Sequence, residues 1–200
     1  MESTPTRSAL LEARDERQIM GEGFRFLDEK RLLLAAEMAR QFARYRQERD
    51  RLMQVHQAAV VALQQALLRH GLHGLQVQDV PVDTAVVLQQ EVRRFFGVVL
   101  LDHVTLEKGQ PERTADVGGS PEVTVCQQAF VQLLNVSAEL AALSGNLHRL
   151  LAEYKRTERR ARALEDVLLP ELDEKIHEMD LCLEEMEQEE AVRVRLGRSG

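Results

Sequence analysis

The stretch RRARALEDVLLPELDEKIHEMDLCLEEMEQEE, from Arg159 to Glu190, decides the fold class of this chain. Its apolar residues recur at helical spacing, but Pro170 stands in the middle and a dense block of glutamates follows. A proline inside a helix removes one backbone donor and presses its ring against the carbonyl of Asp166, which costs about 3 kcal/mol. A helix tolerates such a cost when a partner holds it over many turns. The stretch therefore predicts a long helix that is paired along its length.

The same helix extends far upstream of the proline. Ser120-Pro121-Glu122 combines a capping serine, a proline at the first helical position and an acidic first turn, so we expect the helix to begin there. It is predicted to continue to about Arg195. Its apolar seam recurs every three or four residues, except for a run with three consecutive steps of four: Leu164, Leu168, Leu172 and Ile176. Such a stutter locally unwinds a left-handed supercoil, so we expect the supercoil to relax or bend near Pro170.

A second long helix is predicted at the start of the chain. Thirteen positions from Met20 to Ala62, separated by steps of four and three, hold ten apolar residues. A pattern sustained for about six heptads is typical of a coiled coil. We expect the helix to begin near residues 5–8 and to end at Gly71 and Gly74, because helix C-termini favour a residue with left-handed backbone.

The segment between these helices changes to β-branched residues and period two. Val77–Val87 and Phe95–Leu106 are rich in Val, Leu and Phe, and Lys108–Ser120 has the composition of turns. The fold class is therefore predicted as mainly α, with the N- and C-terminal helices paired in a long antiparallel coiled coil and a small β-hairpin between them. The corresponding domains are residues 1–74 (first helix), 75–119 (β-hairpin and loop) and 120–200 (last helix).

Composition narrows the classes of function. Aromatic residues make up 4% of the chain and charged residues 30%, a bias typical of long helices rather than of a compact globule. The net charge of −7 argues against a nucleic-acid partner. Residues 1–70 hold 12 Lys/Arg and 10 Asp/Glu, whereas residues 120–200 hold 10 and 16, so charge favours pairing of the two helices. No apolar run is long enough to span a membrane, and residues 1–16 are acidic without an apolar core, so we expect no secretory signal. Cys126 and Cys182 are isolated thiols, which fit a reducing cytoplasm.

None of the polar clusters predicts an active site. The chain has no GxxxxGK[ST] loop to cradle a nucleotide phosphate, so we expect no catalytic residue and no cofactor. No metal is expected either: His70 and His73 are placed at a helix end, and the two cysteines are about 84 Å apart along one helix. The arginines at positions 156, 159, 160 and 162 are expected to form ion pairs with the first helix or with a partner.

Two segments give the chain a family resemblance. R-R-x-x-A-L-E at 159–165, the proline five residues later and L-E-E-M-E-x-E-E at 183–190 resemble the C-terminal helix of the D subunit of V-type and archaeal-type rotary ATPases. PTRSALLEARDERQIMGEGFRFLDEKR, at 5–31, is similar to the N-terminal signature of that family. Gly97-Val98 is similar to its G-V-x-x-P motif. The chain departs from the family pattern at Leu101 in place of the usual proline, Arg162 in place of asparagine, Asp166, and KRLLL at Lys30–Leu34.

The resemblance implies a non-catalytic rotor shaft that couples ATP hydrolysis or synthesis in a catalytic hexamer to rotation of a membrane ring and to proton or sodium transport. It implies a place in the cytoplasmic, peripheral sector of that complex. The implied partners are the catalytic and regulatory subunits of the hexamer, a small central-stalk subunit beside the hairpin and a funnel-shaped subunit on the ring. The residues expected to contact partners are Leu10, Arg14, Arg17, Gly97, Val98, Arg159, Arg160, Leu183, Glu184, Glu187, Arg193 and Arg195. A prefoldin-like chaperone subunit and a generic coiled-coil adaptor are the alternatives.

Overall fold

The computed structural model describes residues 6–76, 86–108 and 120–198. It contains helix α1 (Arg7–Gln76), strands β1 (Val86–Phe95) and β2 (Val98–Lys108), and helices α2 (Pro121–Ala163) and α3 (Leu169–Arg198). One π-helical turn, Leu164–Leu168, joins α2 to α3. The predicted class is confirmed: long N- and C-terminal helical segments with a two-stranded antiparallel hairpin between them. The predictions for residues 77–85 and 109–119 lie outside the described residues.

The helices begin where the capping residues predict. The Thr6 Oγ1 accepts a hydrogen bond from the Ala9 backbone N–H at 3.2 Å, which satisfies one free donor of the first turn of α1. The Ser120 carbonyl accepts the first backbone bond of α2 from Val123, at 3.0 Å. The Ser120 hydroxyl donates to the Glu122 carboxylate, and this bond, followed by the bond from the Glu122 backbone, lowers the pKa of Glu122.

The predicted end of α1 is only partly right. Gly71 does adopt the left-handed backbone that glycine favours, with φ of +66°. However, helical turns resume after this kink and continue to Gln76. The last helix likewise extends to Arg198 rather than ending near Arg195.

The described chain forms two compact units, and each is antiparallel in its own right. The first combines residues up to Leu33 with those from Tyr154 onward. In it, Leu10 and Ala13 of α1 and Met179 of α3 form a buried cluster, with Ala9, Ile176 and Leu183 packed against it. The Arg14 Nη2 reaches the Asp180 Oδ2 at 2.8 Å and the Arg17 Nε reaches the Asp173 Oδ1 at 2.8 Å. The residue numbers of the α3 partners fall as those of the α1 residues rise, so α1 and α3 run in opposite directions.

The stutter of the first unit is resolved by a π turn. The Leu169 N–H bonds to the Leu164 carbonyl, five residues back, instead of four. The wider turn takes up the extra residue directly before Pro170, which has no N–H to give. A Cβ built at Gly23 would lie 3.9 Å from the Leu164 side chain, so the register next to the turn places α1 residue 23 opposite residue 164.

The second unit spans Leu34–Glu153 and contains the hairpin. Ala62 and Ala66 of α1 pack on Cys126 of α2, and this burial raises the pKa of the Cys126 thiol. The Arg69 Nη1 lies 3.1 Å from the Glu122 Oε1, and Arg51 lies 3.9 Å from Glu139, so α1 and α2 are also antiparallel here.

The hairpin turn lies inside one of the two predicted β segments. The sequence pattern treated Phe95–Leu106 as one β segment, but Phe96 and Gly97 form a two-residue turn inside it, both with positive φ (47° and 87°). Two such residues make the turn that matches the twist of paired strands. The pairing shifts by one residue between Glu91 and Val92, which leaves Asp102 as the extra, bulged residue of β2.

Two glycines of α1 give a matched stability test. Around Gly21 there is nothing within 4 Å of an added Cβ and the backbone is helical, so Gly21→Ala should stabilise the chain by about 0.5–1 kcal/mol. Gly71→Ala should instead destabilise it by about 1–2 kcal/mol, because φ of +66° strains a residue that has a Cβ. Urea unfolding followed by circular dichroism measures both. Equal changes in the free energy of unfolding of the two variants would contradict the different backbone requirements at Gly21 and Gly71.

Candidate functional site

The junction between the hairpin and the helices holds the most polar interior of the described chain. Glu37 of α1 is fully buried, at 0% exposure, and Gln41 one turn later is 1% exposed. The Gln41 Nε2 donates to the Glu37 Oε1 at 2.8 Å, and the Arg40 guanidinium pairs with the other carboxylate oxygen. A buried carboxylate is stable only when it is paired and hydrogen-bonded.

A second countercharge for this carboxylate, besides Arg40, comes from the hairpin. The Arg93 Nη2 on β1 donates to the Glu37 Oε1 at 3.0 Å, and its Nε donates to the two Asp102 oxygens at 3.1 and 3.2 Å. Asp102 is the bulged residue, and bulges redirect the side chain that they carry. The bonds to Asp102, and then to Glu37, raise the pKa of the Arg93 guanidinium. One arginine therefore links α1 to both strands of the hairpin.

A second contact fixes β2 against α2. The Asn146 side chain is completely buried; its Oδ1 accepts from the Leu101 N–H at 2.9 Å and its Nδ2 donates to the Leu101 carbonyl at 2.8 Å. The side-chain amide thus satisfies both backbone groups of one strand residue. Arg149 also donates to the Asn146 Oδ1, at 3.1 Å. A proline at 101 would have no N–H for this bond. Leu101, which replaces the proline of G-V-x-x-P, therefore allows β2 to bond Asn146.

Several residues predicted to contact partners have roles within the chain. Leu10 is 8% exposed and lies in the α1–α3 core, and Leu183 packs against that core. Arg14 and Arg17 are half exposed and bond Asp180 and Asp173 of α3. The hydrogen bond from Arg17 is the first cause of the lowered pKa of Asp173. In the hairpin, Gly97 is exposed at the turn, whereas Val98 is buried.

The other predicted contact residues lie on the surface. Arg159 and Arg160 are exposed near the end of α2, and Glu184, Arg193 and Arg195 are exposed on α3. Glu187 is exposed and pairs with Arg7 of α1. Arg193 approaches Glu189 at 3.7 Å on its own helix. Their contacts with other chains stay a prediction.

Within residues 6–76, 86–108 and 120–198, there is no group of three metal-ligating side chains. Over the same ranges there is no helix long and apolar enough to cross a membrane.

Sequence reasoning missed the buried network, although a signal for it was present. Gln41 interrupts the apolar seam of α1, and Glu37 lies one helical turn before it. Polar residues in a coiled-coil seam specify register or a particular partner group. Nothing in the sequence identified that group as Arg93, which is 56 residues away.

The importance of the countercharge can be measured. Arg93→Met removes the hairpin partner of a carboxylate that stays buried beside Arg40, so we expect a loss of about 1–3 kcal/mol of unfolding free energy. Adding Glu37→Gln should recover part of this loss because the buried charge, which then has Arg40 as its one arginine partner, is removed. Arg17→Met breaks an exposed pair and should lower the stability much less than Arg93→Met does. Equal urea midpoints for Arg93→Met and Arg17→Met would refute a structural role for the network.

The amide contact has its own test. Asn146→Ala leaves the Leu101 N–H without its protein partner, so the exchange of that amide with solvent should accelerate and stability should fall by about 1–3 kcal/mol. Ser137→Ala is the control on the same helix, since its hydroxyl bonds only the Leu133 carbonyl at 2.7 Å. Hydrogen exchange measured by NMR reads Leu101 directly. Unchanged protection in Asn146→Ala would show that the contact does not hold the strand.

Comparison with known proteins agrees along nearly the whole chain. The family model for the D subunit of ATP synthase matches residues 9–198. The V-type ATP synthase D subunit of Anaeromyxobacter dehalogenans (strain 2CP-C) is 34% identical over 202 residues, covering 97% of this chain and 94% of that protein. The A-type ATP synthase D subunit of Methanoregula boonei is 28% identical, covering 96% and 93%. The V-type ATP synthase D subunit of Thermotoga neapolitana is 23% identical, covering 98% and 96%. This chain belongs to the family of ATP synthase D subunits.

Proposed function

We propose that this chain is the central-stalk, rotor-shaft subunit of a V/A-type ATPase or ATP synthase. The observation that carries the proposal is the family match over residues 9–198, which includes both long helices and the hairpin between them. The relatives, named as D subunits of V-type and A-type ATP synthases, support this function over a prefoldin-like chaperone or a generic adaptor. The chain would couple ATP hydrolysis or synthesis in the hexamer to rotation of the membrane ring and to ion transport.

The proposed role needs no covalent chemistry from this chain. A shaft acts when its asymmetric surface stabilises a different conformation in each surrounding catalytic subunit as it turns. Such coupling is a difference in contact free energy between states. We infer a non-catalytic subunit, and its partners would be the catalytic and regulatory subunits, a small stalk subunit beside the hairpin and a funnel-shaped subunit on the ring. Its place would be the cytoplasmic, peripheral sector of the complex.

We place the bearing and torque surface at residues 10–17 and 183–195. Charged, exposed side chains dominate these segments, including Glu184, Arg193 and Arg195. The ion pairs Arg7–Glu187 and Arg14–Asp180 are also exposed. Exposed charge contacts contribute little free energy each and are easily rearranged, which suits a surface that meets successive partners. The apolar cluster beneath them keeps the two helices together.

Truncation separates coupling from folding. Deleting residues 187–200 removes the exposed Arg7–Glu187 pair between α1 and α3, and it leaves Leu10, Ala13 and Met179 in place. We therefore expect a folded chain that lowers ion uptake per ATP hydrolysed. The measurement is ATP-driven ion uptake and ATPase rate in vesicles that contain the complex with the full chain, the truncated chain or none.

Two controls frame that experiment. Glu187→Gln breaks the same ion pair without shortening the helix, so it should leave uptake per ATP close to that of the full chain. Unchanged uptake per ATP after truncation would mean that the C-terminal glutamate block is a solvated tail. If the complex without this chain couples as well as the complete one, the proposed function is wrong.

A further inference from the structure

One face of α1 in the first unit carries exposed apolar side chains that nothing in the described chain covers. Ile19, Phe26 and Leu33 follow one another at intervals of seven residues, and they are 65%, 58% and 45% exposed. Arg17, which bonds Asp173 of α3, precedes Ile19 by two residues, or about 200° around the helix. The three apolar side chains therefore point away from the seam that α1 shares with α3.

An acidic row borders this apolar face. Asp15, Glu22 and Glu29 are all exposed, and each stands four residues before one of the three apolar side chains. Residues at i and i+4 are neighbours on a helix surface, so each carboxylate lies beside its apolar residue. Glu22 accepts a hydrogen bond from Gln18 at 3.1 Å, while Asp15 and Glu29 have no ion pair in the described ranges. We call these six residues the acidic–apolar stripe.

We propose that the acidic–apolar stripe is a docking surface for a basic amphipathic helix of a subunit that surrounds the shaft. Apolar residues at intervals of seven keep a constant position beside a left-handed seam, so a helix crossing at about +20° meets all three. Lysines or arginines on the edge of that helix complement Asp15, Glu22 and Glu29. The inference rests on the proposed function, because it takes the partner from the rotary complex.

The size and charge of the stripe favour a basic partner over a second copy of this chain as the occupant. Ile19 to Leu33 spans about 21 Å of helix. Three side chains over that length fall short of the roughly 1,200–2,000 Å² that stable interfaces bury. A second copy would also bring one acidic row against another, which is repulsive. A short contact with a basic partner can form and break as the shaft turns.

Photo-crosslinking in the assembled complex tests this assignment. Benzoylphenylalanine placed at Phe26 should crosslink to a helical segment of a surrounding subunit that carries Lys or Arg beside apolar residues at heptad spacing. The triple variant Asp15→Lys, Glu22→Lys, Glu29→Lys should lower the crosslink yield by at least about threefold, since it opposes like charges. The control Glu171→Lys, Glu174→Lys, Glu178→Lys changes the charge equally on exposed positions of α3 and should leave the yield unchanged.

The outcomes separate the inference from the function that it rests on. Crosslinks to a second copy, to an acidic segment or to none at all, in a complex that still couples ATP to ion uptake, overturn the docking surface and leave the proposed function standing. Equal losses of yield in the two triple variants also overturn it, because the effect would then be net charge alone. A complex that assembles and couples without this chain overturns both.

Discussion

The buried carboxylate of Glu37 is the constraint on which the hairpin end of the structure depends. A helix pair has only one buried seam, and an ionised group placed there must find a countercharge close by. Arg40 supplies one from α1, and Arg93 supplies a second from β1 and is itself held by the bulged Asp102. The pairing of Glu37 with Arg93 thus depends on the bulge, on the strand register and on the position of the hairpin against α1. The Asn146 amide adds a second, uncharged fixation on the α2 side.

The two units achieve helix pairing by different physical means. Between α1 and α3, a small apolar cluster is flanked by exposed ion pairs, each of which is worth little and responds to salt. In the other unit, α1 and α2 pack through buried alanines and a cysteine beside exposed ion pairs, and a buried polar network also fixes the hairpin. Under the proposed function, a surface that exchanges partners benefits from the first arrangement. A hairpin that must keep its orientation relative to α1 and α2 benefits from the second.

Pro170 is tolerated through a local change of helical pitch. With a π turn at Leu164–Leu168, the chain gains one residue per turn just where the seam carries a stutter and where the proline gives no N–H. The side chains of this turn are not buried, and Val167 and Leu168 are 48% and 40% exposed. The π turn therefore accommodates both the stutter in the seam and the missing N–H of Pro170.

The sequence alone determined the two long helices, the β character of the residues between them, the antiparallel arrangement and the family. Heptad spacing, capping residues and helix-breaking residues act over a few turns, so they can be read from neighbouring positions. The boundaries were less certain: Gly71 was identified by its residue type, but whether helix resumes after it depends on packing beyond that glycine. The stutter was also visible, although the π turn at Leu164–Leu168 was not.

Only the tertiary structure decided the turn at Phe96–Gly97, the bulge at Asp102 and the partners of Glu37 and Leu101. Each depends on groups far apart in the chain: 56 residues separate Glu37 from Arg93, and 45 separate Leu101 from Asn146. It also showed that Leu10, Arg14 and Arg17, expected on the torque surface, pack or pair with α3. Periodicity shows which side of a helix is apolar. It does not show which of many polar groups will pair with a buried side chain, because that depends on which groups the folded chain brings together.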